Sequence, residues 1–313
     1  MTRLHRQVEA LRQRRLAAGV RPLRELSVAE ARAAELAGLS TNALEPIAEV
    51  RELVLPGPGG PIAVRLYLPD AAEPLPVLAY FFGGGWVLGS LDTAEPVCRR
   101  LANAAACAVV SIAYRRAPEN PFPAAIEDCY AATCWFAEHG DGHGLDATRL
   151  AVGGASSGGN LAAAVAMLAR DRGGPSLAFQ LLVYPPLDYR AATPSMREPS
   201  ARPFFGPEDV RWCWAHYLAD PADGESPSAS PLRAGDFRGL PPALVITAEF
   251  DPLRDEGELY AARLREDGVP TEAVRFDGVM HGFFSLADDL DAAIEAQELA
   301  ASALRRAFAA ARI

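Results

Sequence analysis

The sequence predicts an α/β fold, a mostly parallel sheet flanked by helices. One observation behind this is the alternation of strand-like and helical segments from Pro76 onward. Strands that alternate with helices pair in parallel, because each helix carries the chain back to begin the next strand at the same end. The other is a pair of small-residue turns placed directly after apolar runs, Gly83-Gly84-Gly85 and Gly154-Ala155-Ser156-Ser157-Gly158. In a parallel sheet such turns fall at the carboxyl ends of the strands, where ligands bind.

Taken in order, residues 4–16 and 28–37 read as helices. Residues 50–55 and 62–68 alternate as strands around Pro56-Gly57-Pro58-Gly59-Gly60-Pro61, a hairpin signal. Then come strand 77–82, helix 94–106, strand 108–113, helix 123–138, strand 150–153, helix 157–172 and strand 177–184. The pattern breaks over residues 188–240, which hold Pro/Ser/Gly loops and the aromatic group Phe204, Phe205, Trp212, Trp214 and Tyr217. Together with the N-terminal helices, this stretch is expected to form a cap. The expected organisation is one domain over residues 1–313, capped by approximately 1–45 and 188–240. Strands at 243–248 and 271–276 and an amphipathic helix at 290–310 complete it, with no internal repeat.

The second turn reads G-x-S-x-G between the apolar run 150–152 and an Ala-rich helical run, 161–170. A serine on so tight a strand-to-helix elbow has its Oγ projected clear of the backbone, with a helix N-terminus behind it. The plainer alternative is a Ser/Gly turn that merely starts a helix. Three further features weigh against that alternative. Phe81-Phe82-Gly83-Gly84-Gly85-Trp86 follows an apolar run, and its glycines let backbone N–H groups face a ligand. Such donors stabilise the oxyanion of a tetrahedral intermediate, and losing one typically costs about 10²–10³ in rate. The N–H groups of Gly84, Gly85 and Ser157 are the candidates. A phosphate loop of the G-x-x-x-x-G-K type is excluded, since all 30 Lys+Arg residues are arginine.

The other two features are Asp251, just past the strand-like 243–248, and His281, after the strand-like 271–276. The order Ser156, Asp251, His281 is that of one of the three familiar serine-hydrolase plans. In that plan the imidazole accepts the serine proton and later returns it to the leaving group, while the carboxylate fixes the tautomer. Ser156 rather than Ser157 is the expected nucleophile, because only Ser156 keeps both flanking glycines of the motif. Glu249, Asp255 and Asp277 are competing acids; Asp251 is preferred because it opens the loop beyond a strand end. Of the five histidines, His5 lies in an Arg-rich helix and His216 follows two tryptophans. His139 and His143 sit in a polar Gly-rich loop without HExxH or paired-Cys spacing, so no metal site is expected.

Composition fits a soluble enzyme without cofactor. The chain is 50% hydrophobic, enough for one large core, and its net charge of −10 argues against nucleic-acid binding. No run approaches the ~20 apolar residues of a membrane span. Residues 1–24 carry seven arginines and no apolar stretch, so neither a secretory signal nor stable membrane insertion is expected. Cys98, Cys107, Cys129, Cys134 and Cys213 are odd in number and scattered, as reduced thiols of a cytoplasmic protein would be. The expected partner is a small-molecule acyl substrate; a homodimer is compatible with the sequence.

Several motifs together resemble the hormone-sensitive lipase family of α/β-hydrolases, in its bacterial esterase branch. They are Gly83-Gly84-Gly85-Trp86, Tyr114-Arg115-Arg116-Ala117-Pro118-Glu119, Phe122-Pro123-Ala124-Ala125, the elbow through Leu161, Asp251-Pro252-Leu253-Arg254-Asp255-Glu256-Gly257 and His281-Gly282-Phe283. They span roughly residues 45–290 in family order. The resemblance implies an α/β-hydrolase fold and hydrolysis of short- to medium-chain carboxylic esters, with a small cap over the site. It also marks a departure: the family usually has histidine where this chain has Phe82. That histidine is understood to anchor the glycine loop, so here packing must hold it.

Carboxylester hydrolysis is the leading expectation. Hydrolysis of an amide or N-acetyl group of a small metabolite is the alternative that the Phe82 change keeps open. A non-catalytic binding protein on the same fold is disfavoured by the presence of all three triad residues. Trp86, Phe204, Phe205, Trp212 and Trp214 are candidates to line the acyl pocket; packing between cap and body is the equally weighted alternative.

Overall fold

The computed structural model describes residues 3–39, 42, 44–70, 74–198 and 204–311. Residues 199–203 of the second expected cap segment, and 1, 2, 40, 41 and 43 of the first, lie outside the described residues. The body is an eight-stranded sheet in the order β1-β2-β4-β3-β5-β6-β7-β8. Its strands are β1 (Glu49–Leu55), β2 (Ile62–Leu68), β3 (Leu75–Phe81), β4 (Ala108–Ile112), β5 (Leu145–Ala155), β6 (Phe179–Val183), β7 (Ala243–Phe250) and β8 (Thr271–Met280). β1 and β2 form the expected hairpin, and β2 pairs antiparallel with β4; every other pairing is parallel. Strands β3, β4 and β6 are buried along their whole length. Helices cover both faces of a parallel sheet, which is why these strands read as near-continuous apolar runs, broken only by the buried Ser111 and Gln180, rather than alternating ones.

The topology itself places a crevice. From β3 the chain passes through α3 (Leu91–Ala105) to β4 on one side, then through α4 (Ala124–His139) to β5 on the other. Right-handed crossovers in opposite directions put α3 and α4 on opposite faces. Accordingly α4 packs on α5 (Ser157–Asp171), while α3 packs on the C-terminal α8 (Asp291–Ala310). The order reverses at β3, so the loops after β3 and β5 diverge and leave a cleft at their carboxyl ends. The glycine triplet follows β3 and Ser156 follows β5. α7 (Arg254–Glu266) lies between β7 and β8 and packs on both.

Two segments outside this alternation meet over the cleft. The N-terminal one holds α1 (Arg6–Ala17) and α2 (Val28–Ala37); Ser27 starts α2 through a reciprocal capping box with Glu30. The other carries α6 (Pro207–Tyr217). The Arg24 N–H donates to the buried Asp209 carboxylate of α6 at 2.9 Å, which joins them. The Phe122 N–H donates to the Tyr217 carbonyl at 2.8 Å and fastens α6 to the body. Among the described residues no helix is long and apolar enough to cross a membrane.

Candidate active site

Ser156 occupies a backbone conformation of φ 55° and ψ −124°, between the end of β5 and the start of α5. A non-glycine residue at positive φ is strained and persists only where its surroundings enforce it. Here the Ser156 N–H donates to the Val183 carbonyl of β6 at 2.9 Å. The crowding behind the turn explains its small residues. A Cβ on Gly158 would lie 1.8 Å from the Phe81 carbonyl oxygen, a contact no side chain can make.

The three separated sequence positions converge. Ser156 Oγ lies 2.9 Å from His281 Nε2, and His281 Nδ1 lies 2.7 Å from Asp251 Oδ2. Asp251 follows β7 and is almost fully buried; its Oδ1 accepts the Leu253 N–H at 2.8 Å. β8 runs on to Met280, four residues beyond the expected end, and delivers His281 directly from the strand. The imidazole is flanked by two rings, Phe205 stacked at 4.5 Å and Tyr184 at 4.6 Å between centroids. Ser157 is buried, and its hydroxyl makes no hydrogen bond to the imidazole.

The glycine loop lies against this elbow. A Cβ on Gly83 would come within 2.8 Å of the Ala155 carbonyl oxygen and 3.4 Å of Ser156 Cβ. Gly84 and Gly85 adopt φ of 121° and 61°, where side chains are disfavoured. Their N–H groups donate to no acceptor among the described residues. The Ser157 N–H opens α5, where the first-turn donors lack intrahelical acceptors. Gly84 and Gly85 line the cavity beside Ser156, and Ser157 is buried directly behind it. Phe82 is buried and stacks on Tyr114 with ring centroids 4.3 Å apart, while Tyr114 Oη donates to the Phe82 carbonyl at 2.9 Å. Packing and a main-chain bond thus fix the residue that opens the loop.

Ser156, His281 and the loop face a cavity of about 940 Å³, walled on one side by Leu23, Glu35, Leu39 and Leu44 and on another by Phe205 and Cys213. Only one of the five aromatic residues expected in the acyl pocket, Phe205, is on this wall. The others are corrected to packing roles. Trp86 and Trp214 are buried in a stack with Tyr217, Trp86 lying 4.1 Å from the Tyr217 ring. Phe204 is buried beneath the Arg15 guanidinium, 5.2 Å from its centroid, and Trp212 lies against His216 at 4.1 Å. The reason is the seating of α6: the face carrying Trp214 and Tyr217 turns into the body. His139 and His143 flank the Trp135 ring instead. Among the described residues no three His, Cys, Asp or Glu gather as a metal site would require.

A residue the sequence did not single out supports the acid side of the site. Glu256 of α7 is fully buried, and its Oε2 accepts the Leu187 and Asp188 N–H groups at 2.6 and 3.0 Å. Burial pushes its carboxyl up to about 8, and the neighbouring Asp188 and Asp251 charges push the same way. The folded value is thus above the unfolded one of about 4.3. The folded state holds a proton that the unfolded state has released. This contribution is fully present below about pH 4 and is lost as pH rises through about 8. Glu256→Gln, a neutral isostere, is therefore expected to flatten the fall in melting temperature between pH 5 and about 8.5. Thermal melts of both proteins across that range check this; parallel curves would mean that Glu256 is charged throughout.

Comparison with known proteins finds hydrolases and esterases. The alpha/beta hydrolase fold family matches residues 78–285. Esterase LipI of Mycobacterium tuberculosis is 42% identical over 276 residues, 86% of this chain and 86% of that protein. Carboxylesterase NlhH of the same species is 43% identical over 251 residues, 79% of each chain. A hyperthermophilic esterase from the archaeon Pyrobaculum calidifontis superposes with a TM-score of 0.91 at 42% identity, over 97% of this chain and 98% of that one.

Proposed function

This chain belongs to the α/β-hydrolase family, in its hormone-sensitive lipase group, and we propose that it is a serine carboxylesterase acting on short- to medium-chain esters of small molecules. The observation that carries the proposal is the continuous hydrogen-bonded line from Ser156 through His281 to Asp251 at the wall of the cavity.

The chemistry follows from the atoms in place. With a substrate carbonyl beside Ser156, the Oγ attacks the carbonyl carbon while His281 Nε2 takes its proton. Asp251 holds Nδ1–H, so Nε2 is the free acceptor, and its charge stabilises the imidazolium. The carbonyl oxygen becomes an anion and receives the N–H groups of Gly84, Gly85 and Ser157. Collapse expels the alcohol, which leaves with the proton that His281 returns. Water then repeats the sequence on the acyl-enzyme and frees the acid. No step calls for a metal or an organic cofactor. The described parts of approximately 1–45 and 188–240 act as a cap, whose Leu23, Glu35, Leu39, Phe205 and Cys213 shape the acyl and alcohol sites. A cytoplasmic location belongs to the same proposal, supported by five cysteines that are all free thiols.

The test is a panel of p-nitrophenyl esters of rising chain length beside matched p-nitroanilides. The expected result is turnover of the short esters with a kcat/KM well above that of every anilide. Anilides hydrolysed faster than their esters would replace esterase by amidase; no turnover of either would leave a binding protein.

A further inference from the structure

The glycine loop is held from outside the sheet by a residue of α2. Gly89, at the far end of the loop, is buried, and its N–H donates to both carboxylate oxygens of Glu35 at 2.9 Å. No other acceptor for that N–H exists among the described residues. The grip is passed on to the donors by direct contacts. Gly89 packs so closely on Gly83 that a Cβ there would lie 2.2 Å from the Gly83 carbonyl oxygen. Between them the Gly84 carbonyl accepts the Val87 and Leu88 N–H groups at 3.1 and 2.8 Å, closing a tight turn. Two guanidinium groups complete the clamp: Arg116 Nη1 donates to the Gly89 carbonyl at 2.8 Å and Arg32 Nε to the Val87 carbonyl at 3.1 Å. Arg32 also pairs with Glu119 at 2.7 Å, which ties α2 to the body. Glu35 itself stands on the cavity wall.

We infer that Glu35 is a positioning residue for the oxyanion hole: its carboxylate holds Gly89 so that the Gly84 and Gly85 N–H groups stay aimed at the developing anion. The inference rests on the proposed esterase reading of the same site. α2 thereby serves catalysis as well as covering the site, and the charged clamp at Gly89 holds the far end of the loop as the Tyr114 bond and stacking hold its Phe82 end. A buried N–H that loses its charged acceptor is left unsatisfied, so the loop relaxes toward conformations that pair it elsewhere.

The experiment compares Glu35→Ala and Glu35→Gln with wild type, using Leu36→Ala on the exposed side of α2 as control. Each is measured for kcat and KM on p-nitrophenyl acetate, for inhibition by a trifluoromethyl ketone, and for melting temperature. The ketone forms a tetrahedral oxyanion adduct with a serine and so reports on the donors directly. Glu35→Ala is expected to lower kcat about 10-fold or more and to weaken the ketone by a similar factor, with KM within about 2-fold. Glu35→Gln, whose Oε1 still accepts one neutral bond, should recover part of both losses, and it carries the test if the alanine variant does not fold. Unchanged kcat and inhibition overturn the inference, as does a rise in KM with kcat intact, which would give Glu35 a role in the cap alone. A wild-type protein without esterase turnover would instead bring down the esterase reading, and this inference with it.

Discussion

Ser156→Ala removes turnover of p-nitrophenyl acetate by about 10⁶-fold while leaving the protein folded. The magnitude follows from what the hydroxyl does. Without Oγ no acyl-enzyme forms, and His281 has no proton to take; what remains is the effect of binding and of the oxyanion donors. The fold survives because the bond that pins the elbow is made by the main chain, Ser156 N–H to the Val183 carbonyl at 2.9 Å. Alanine meets the same positive φ that serine already tolerates there. The neighbouring hydroxyl supplies the control. Ser157 is buried and unbonded to the imidazole, so Ser157→Ala keeps substantial activity. Steady-state rates with melting curves for both variants decide the matter. Comparable losses in the two, or full activity in Ser156→Ala, would move the nucleophile away from the elbow.

Asp251→Asn is expected to lower kcat by about 10⁴-fold, again without unfolding. The local bonds give the reason. Asp251 Oδ1 accepts the Leu253 N–H at 2.8 Å and Oδ2 faces His281 Nδ1 at 2.7 Å. Asparagine keeps its carbonyl oxygen on the Leu253 N–H, since an amide nitrogen there would set donor against donor. Its NH₂ group then points at Nδ1, which must become an acceptor. The ring proton moves to Nε2, and the imidazole presents a proton to Ser156 where it should present a lone pair. The loss falls on kcat, because substrate still binds beside an intact loop. A kcat within about 10-fold of wild type would show that tautomer control by this carboxylate is not what makes His281 a base.

What the sequence disclosed, and what it hid, divides along physical lines. The central strands were legible because burial on both faces makes them near-continuous apolar runs, as in β3. The triad was legible because each member stands in a loop that follows a strand-like segment. Strand ends were less so. β5 begins at Leu145, five residues before its apolar part, and pairs there with Leu75 and Pro76 ahead of a register shift. β8 continues past the expected end at Phe276 through Asp277 and Gly278 to Met280, with a shift of register against β7 between Ala248 and Phe250. The pocket was the least legible part. Composition gathers aromatics on and around α6 but does not say which way the helix is rolled. Trp214 turns into the body, and Phe205, in the loop before the helix, reaches His281. Glu35 gave no local signal at all, because its partner Gly89 lies 54 residues away and the bond exists only once α2 is docked.

The claim on which all of this depends is that Ser156 carries the acyl group in turnover. Brief reaction with p-nitrophenyl acetate, acid quench, proteolysis and mass spectrometry locate that group. The account predicts an acetyl ester on Ser156 alone, formed together with a burst of p-nitrophenol and absent from Ser156→Ala. Hydrolysis that proceeds without acetylation of Ser156 at any point in turnover, or with the acetyl group on Ser157 or another residue, would contradict it.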